Sequence, residues 1–146
     1  MKLLITGSRQ IAENDVHFAR LQKEIKKRYL VLGTGCSEEQ VPITMILHGG
    51  ARGADQLADR FGREYGLEVK VIRPDYKRYP EKLAPLMRNT ELVSQADAVI
   101  AFYGPRGKAG GTWDTVKKAL ARNLPVTELF ADGMVKYAPP QRTLFS

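Results

Sequence analysis

Thr44-Met45-Ile46-Leu47-His48-Gly49-Gly50-Ala51-Arg52-Gly53-Ala54-Asp55 is the stretch that decides the fold. Residues 44 to 48 form a short apolar run stopped by glycine, the mark of a buried strand. A helix is expected from about Ala54 to Tyr65, with Leu57, Ala58 and Phe61 facing inward and Gly66 ending it. The alternation repeats along the chain. Leu3 to Thr6 is a first strand ending at Gly7-Ser8-Arg9, and Asn14 or Asp15 caps a helix carrying Phe18, Leu21, Ile25 and Tyr29. Residues 30 to 42 read as a connection. Val69 to Ile72 is a third strand, and Glu81 to Gln95 is helical in part, with Pro85 in or near its first turn. Asp97 to Phe102 is a fourth strand, Thr112 to Arg122 a helix stopped by Asn123, and Val126 to Phe130 the last strand. About five apolar strands separated by helices predict an α/β fold: a Rossmann-like, doubly wound sandwich with a mainly parallel sheet. This domain spans 1–130. The tail, 131–146, shows no strong pattern.

Composition narrows the function classes. The chain has 146 residues, 43% hydrophobic and 27% charged, which suits one globular domain. No apolar run approaches the roughly 20 residues of a membrane helix, and Met1 to Gly7 is too short for a secretory signal. One cysteine, Cys36, excludes an internal disulfide framework. His17 and His48 are the only histidines, and no metal-ligand spacing is visible. A soluble cytoplasmic protein without metal or cofactor is expected. The net charge of +7 fits nucleic acid, a phosphorylated small molecule or a solvated surface. Lys23, Lys26, Lys27 and Arg28 read as the wet face of the first helix.

An open parallel sheet binds ligands beyond the carboxyl ends of its strands, and the conspicuous loops fall there: 7–9, 49–53, 73–79 and 103–111. In the 49–53 turn, small residues let backbone amides approach an anion, the helix start adds partial positive charge, and Arg52 offers a guanidinium fork. Gly49, Gly50, Ala51, Arg52 and Asp55 are therefore candidates for holding a phosphate or a ribose. The same residues also make a tight turn that Asp55 caps. The turn lacks the ending of a P-loop and the glycine spacing of a dinucleotide fingerprint. Gly110-Gly111-Thr112 opens another helix, with Arg106 and Lys108 making its loop cationic, and Thr112 either caps that helix or binds a phosphate oxygen. Gly7, Ser8 and Arg9 end the central strand. Arg88 and Asn89 point either into the cleft or, through an Arg88–Glu91 pair, to solvent. Ser8 lacks the elbow of a hydrolase nucleophile, and His48 is expected to bond locally.

Ile5-Thr6-Gly7-Ser8-Arg9, His48 to Asp55, Arg88-Asn89-Thr90-Glu91-Leu92, Ala96 to Phe102 and Gly110-Gly111-Thr112 together resemble the YspA/YpsA-related branch of the SLOG superfamily. That superfamily also contains the LOG phosphoribohydrolases and the DNA-processing protein DprA. The resemblance spans about residues 3 to 128 and implies a nucleotide-derived ligand held by glycine-rich loops. LOG enzymes cleave the N-glycosidic bond of a nucleoside monophosphate with an Arg of an Arg-Lys-x-x-Met motif and a Glu three residues after a Gly-Thr pair. Arg88 matches that Arg, with Asn89 and Leu92 replacing Lys and Met, while the Glu position falls on Thr115. Asp114 is one residue early, about 100° around a helix. Glu91 is another candidate carboxylate, if it faces the cleft, and Arg88 and Glu91 are the catalytic candidates if the chain is an enzyme. The resemblance also implies a homo-oligomer, with the third helix in the contact.

Three functions follow. The first is binding, as sensor or sequestering protein, of a nucleotide-derived ligand such as an ADP-ribose-like molecule. The second is a nucleotide N-glycosidase, which needs a carboxylate near the oxocarbenium-like transition state. The third is single-stranded nucleic acid binding, with Tyr76, Tyr79 and Tyr103 stacking along a cationic groove.

Overall fold

A computed structural model describes residues 1–29, 31 and 42–141. Cys36 and nearly all of the 30–42 connection lie outside the described residues, as do residues 142–146. The elements are β1 (Lys2–Gly7), α1 (Asp15–Arg28), β2 (Met45–His48), α2 (Ala54–Glu64), β3 (Glu68–Val71), α3 (Ala84–Gln95), β4 (Ala98–Phe102), α4 (Gly110–Ala121), β5 (Val126–Leu129) and β6 (Val135–Ala138). They build one six-stranded sheet in the order β3-β2-β1-β4-β5-β6. The first five strands are parallel and β6 runs antiparallel to β5. The expected α/β sandwich is what the chain forms.

Side chains alternate across the strands and so serve two cores. Leu3 and Ile5 of β1, with Ile46, Ile100 and Phe102, pack against Phe18, Leu21 and Ile25 of α1 and Leu57, Ala58 and Phe61 of α2. Leu4, Leu47, Val99 and Ala101 point the other way, against Leu92 and Val93 of α3 and Val116 and Ala119 of α4. Each of the large buried aliphatic and aromatic side chains contributes about 1.5–3 kcal/mol. The chain leaves β1 for one face and β4 for the other, so their carboxyl ends diverge. That divergence opens a crevice at the switch point of the sheet.

Asn14 caps α1, its Oδ1 accepting from the His17 amide at 2.9 Å. Pro85 sits in the first turn of α3, where its missing N–H costs nothing. Asn123 ends α4 with φ of 58°. The α4 helix begins at Gly110, two residues before the expected Thr112. The larger difference is β6, in the stretch beyond 130 that shows no strong pattern. The Phe130 amide donates to Met134 O at 2.9 Å and Asp132 Oδ1 accepts from the Met134 amide at 2.9 Å, closing a hairpin. β6 then pairs Val126 with Ala138 and Leu129 with Val135, covering the edge of β5. Among the described residues, no helix is long and apolar enough to cross a membrane.

Candidate functional site

The crevice at the ends of β1 and β4 is a cavity of about 500 Å³. β1 and the residues after it contribute Gly7, Ser8 and Arg9; the turn after β2 contributes Gly49, Ala51 and Asp55; α3 contributes Arg88 and Asn89; and α4 contributes Gly110, Gly111 and Thr112. Both glycine-rich turns therefore border one space. Arg9, Lys82, Arg88 and Arg106 line it against a single carboxylate among the described residues, Asp55, so its field favours an anion.

The turn after β2 differs from the expected anion cradle. Its amides are already engaged by the chain's own side chains. Asp55 Oδ2 accepts from Gly49 N and Ala51 N, both at 3.1 Å. Gly50 N donates to His48 Nδ1 at 3.0 Å, and Gly53 N donates to Glu13 Oε2 at 3.3 Å. His48 Nδ1 is thus the acceptor, so Nε2 carries the hydrogen that reaches Asp59 Oδ1 at 3.0 Å. This is the local bonding expected of His48. Gly53 has φ of +80°, and a Cβ there would meet Ser8 O at 2.4 Å, so only glycine lets α2 start against the end of β1. Arg52 is exposed and is not among the residues that line the cavity. Gly50 also lies off the cavity, its carbonyl accepting from Arg73 Nη1 at 3.0 Å.

Burial pushes the Asp55 carboxyl above its ordinary value, against the pull of the Ala51 amide, His48, Arg88 and the Gly49 amide. Burial likewise pulls Arg88 down, countered by Asp55 and reinforced by Arg9. A guanidinium nevertheless stays charged at neutral pH.

Arg88 and Asn89 tie the two turns together. Arg88 Nη1 donates to Gly49 O at 2.7 Å, and its Nε to Asn89 Oδ1 at 3.0 Å. Asn89 Nδ2 then donates to Gly111 O at 3.3 Å and Asp114 Oδ2 at 3.2 Å. Of the two orientations that helical spacing allows, both side chains take the cleft. Glu91 does not follow them. It is exposed, forms no ion pair with Arg88 among the described residues, and borders a second recess of about 290 Å³ that Arg73, Asp75, Arg78, Tyr79 and Arg88 itself also line. Residues three apart share a helix sector, yet Glu91 is not among the residues that line the cavity, whereas Arg88 borders both spaces.

The turn before α4 is open. The first hydrogen bond of the helix runs from Trp113 N to Ala109 O at 3.4 Å, and the N-cap, Ala109, has no capping side chain. The amides of Gly110, Gly111 and Thr112 thus precede the helical ladder, and none has a partner among the described residues. Thr112 sits in the first turn rather than at the cap. The residue is 8% exposed and its Oγ1 has no partner among the described residues. The only unpartnered side-chain polar atoms sealed from solvent, among those residues, are Tyr29 Oη and Thr127 Oγ1, so Thr112 Oγ1 opens into the cavity it lines. A Cβ on Gly111 would meet only Asn89 Nδ2, at 3.8 Å. Glycine at 111 therefore answers no packing demand of the protein and leaves the helix start bare.

Ser8 Oγ accepts from Gln10 N at 3.0 Å, which shapes the rim. Lys108 is drawn off the cavity to Glu128 at 3.6 Å and over the Trp113 ring. Tyr103 is buried, donating to Glu128 Oε2 at 2.6 Å, and so cannot join Tyr76 and Tyr79 in a stacking row for a nucleic acid strand. Lys82 and Gln10 also line the cavity, and sequence reasoning misses them; a lone lysine and a lone glutamine in polar stretches give no signal.

Residues 1–79 match the family described as "YspA, cpYpsA-related SLOG family". The chain is 32% identical over 131 residues to Gene 61 protein of Mycobacterium phage D29, covering 86% of this chain and 93% of that protein. No solved structure matches it. The matched segment holds β1, the turn after β2 and the start of α2, and the phage relative extends the likeness over nearly the whole sandwich, so the chain belongs to the YspA, cpYpsA-related SLOG family.

Proposed function

We propose that the chain binds a nucleotide or nucleotide-derived ligand, with a phosphate at the start of α4. The observation that carries this reading is the unpartnered Oγ1 of the largely buried Thr112, open to the cavity beside the free amides of Gly110, Gly111 and Thr112. A helix N-terminus presents roughly half a positive charge, and amides and a hydroxyl aimed at one point are the donors a phosphate takes. Arg9 and Arg106 line the same cavity and add charge. Membership of a SLOG family points to the same nucleotide-related class. Calorimetric titration with AMP, GMP, CMP, UMP and ADP-ribose tests it. At least one binds, its unphosphorylated nucleoside binds at least about tenfold more weakly, and Thr112→Val weakens the nucleotide by about fivefold or more. If none of the five binds, the reading fails.

One observation favours a second reading, N-glycoside cleavage of a nucleoside 5′-monophosphate. That chemistry needs a carboxylate. Glu91 lies off the cavity, but Asp55 lies on its wall beside Arg88. Chromatography after incubation decides: free base plus ribose 5-phosphate supports cleavage, and intact nucleotide leaves binding alone.

A further inference from the structure

Phosphate binding at α4 leaves the opposite side of the cavity unexplained. Asp55 is 6% exposed, and its Oδ2 is fully occupied by the amides of Gly49 and Ala51. Its Oδ1 has no partner among the described residues and is not among the sealed unpartnered atoms, so it faces the cavity that Asp55 lines. The Arg88 head lies alongside, since a Cβ on Gly49 would touch both Arg88 Nη1, at 2.5 Å, and Asp55 Oδ2, at 3.1 Å. A carboxylate oxygen is an acceptor only, so this end repels phosphate and calls for a hydrogen-bond donor.

Distance selects the donor. Asp55 follows β2 and α4 follows β4, and these two strands flank β1, so the strands that lead to the two ends stand about 10 Å apart, two strand spacings. The same span is bridged by the neighbouring heads of Arg88 and Asn89. In a 5′-nucleotide the phosphorus and the 3′-oxygen are separated by a few bonds of about 1.5 Å, a folded reach of roughly 5 Å. Adding a hydrogen bond of about 2.7–2.9 Å at each end spans the gap. An amino group on the far edge of the base overshoots it. We infer that Asp55 Oδ1, beside Arg88, accepts a hydrogen bond from a ribose hydroxyl of the nucleotide whose phosphate sits on Gly111 and Thr112, so that the cleft reads ribose against deoxyribose. This rests on the phosphate reading above. The inference fixes the direction of the ligand: phosphate at β4, sugar over β1, hydroxyl edge toward β2. A carboxyl already penalised by burial gains most from an added donor on its free oxygen.

The test uses the wild-type chain and the best-binding nucleotide of AMP, GMP, CMP and UMP, its 2′,3′-dideoxy analogue and its unphosphorylated nucleoside, by calorimetry. The dideoxy analogue is expected to bind about tenfold or more weakly than the ribonucleotide, because it leaves a buried acceptor unpaired. In Asp55→Asn, which keeps an oxygen for the two amides, that ratio is expected to fall to within about threefold. Ribo and dideoxy forms binding within about twofold of each other overturn the inference while leaving the phosphate reading standing. A full ratio retained in Asp55→Asn also overturns it, by placing the hydroxyl elsewhere. A nucleoside that binds as well as the nucleotide, or no binding at all, overturns both. The wild-type comparison stands even if Asp55→Asn does not fold.

Discussion

Gly111→Ala separates what the fold needs from what the ligand needs. Gly111 lies in the first turn of α4 without a positive φ, and an added methyl meets nothing closer than Asn89 Nδ2 at 3.8 Å. Replacing glycine by alanine in a helix stabilises by about 0.5–1 kcal/mol through the unfolded chain. For a chain of this size that is a rise in Tm of about 2–4 °C. The same methyl stands where a phosphate would approach the amides of Gly111 and Thr112. Losing even one charge-assisted bond, about 1.5–3 kcal/mol, lowers nucleotide affinity at least about tenfold. The two effects have opposite sign, which a general folding defect cannot imitate. Circular dichroism melting and calorimetric titration of the same preparation read both. A Gly111→Ala chain that binds nucleotide as tightly as wild type, or melts lower, refutes the reasoning.

Three further outcomes are expected. Gly53→Ala combines a positive φ with a Cβ 2.4 Å from Ser8 O, and should destabilise by about 2–4 kcal/mol in urea unfolding; a change below about 1 kcal/mol contradicts the packing described. Tyr103→Phe leaves the side chain of the buried Glu128, among the described residues, with a 3.6 Å contact to Lys108 alone and should cost about 1.5–3 kcal/mol, read by the same measurement. The Arg63 hydrogen bond, more than the His48 contacts, holds the Asp59 carboxyl below its ordinary value of 3.8. Its stabilising contribution is therefore present above that value and lost as pH falls through the lowered one, so Asp59→Asn flattens the acid limb of the stability–pH curve; an unchanged limb would falsify the assignment.

Much of the fold was legible because apolar runs ending in glycine punctuate the chain at the carboxyl ends of the parallel strands. The hairpin to β6 carried a readable signal, Asp132-Gly133 before Val135-Lys136-Tyr137, but the run after it is short and stops at Pro139-Pro140, so it stands out weakly. The site was legible in position and misleading in part. His48 to Asp55 looks like an anion cradle by spacing, but which amides remain free depends on Glu13, far back in the chain, and on the Asp55 side chain folding back over its own turn. Helical spacing likewise groups Arg88 with Glu91, while only packing against Gly49 decides that Arg88 enters the cleft and Glu91 does not.

The central claim is that the start of α4, and not the turn after β2, receives the phosphate. Backbone amide NMR shifts on titration with AMP and separately with adenosine test it most directly, because their difference isolates the phosphate. The amides of Gly110, Gly111 and Thr112 are expected to carry the largest difference, since they lack partners among the described residues of the free protein. A difference concentrated at Gly49 and Ala51, whose amides would have to leave Asp55, contradicts it.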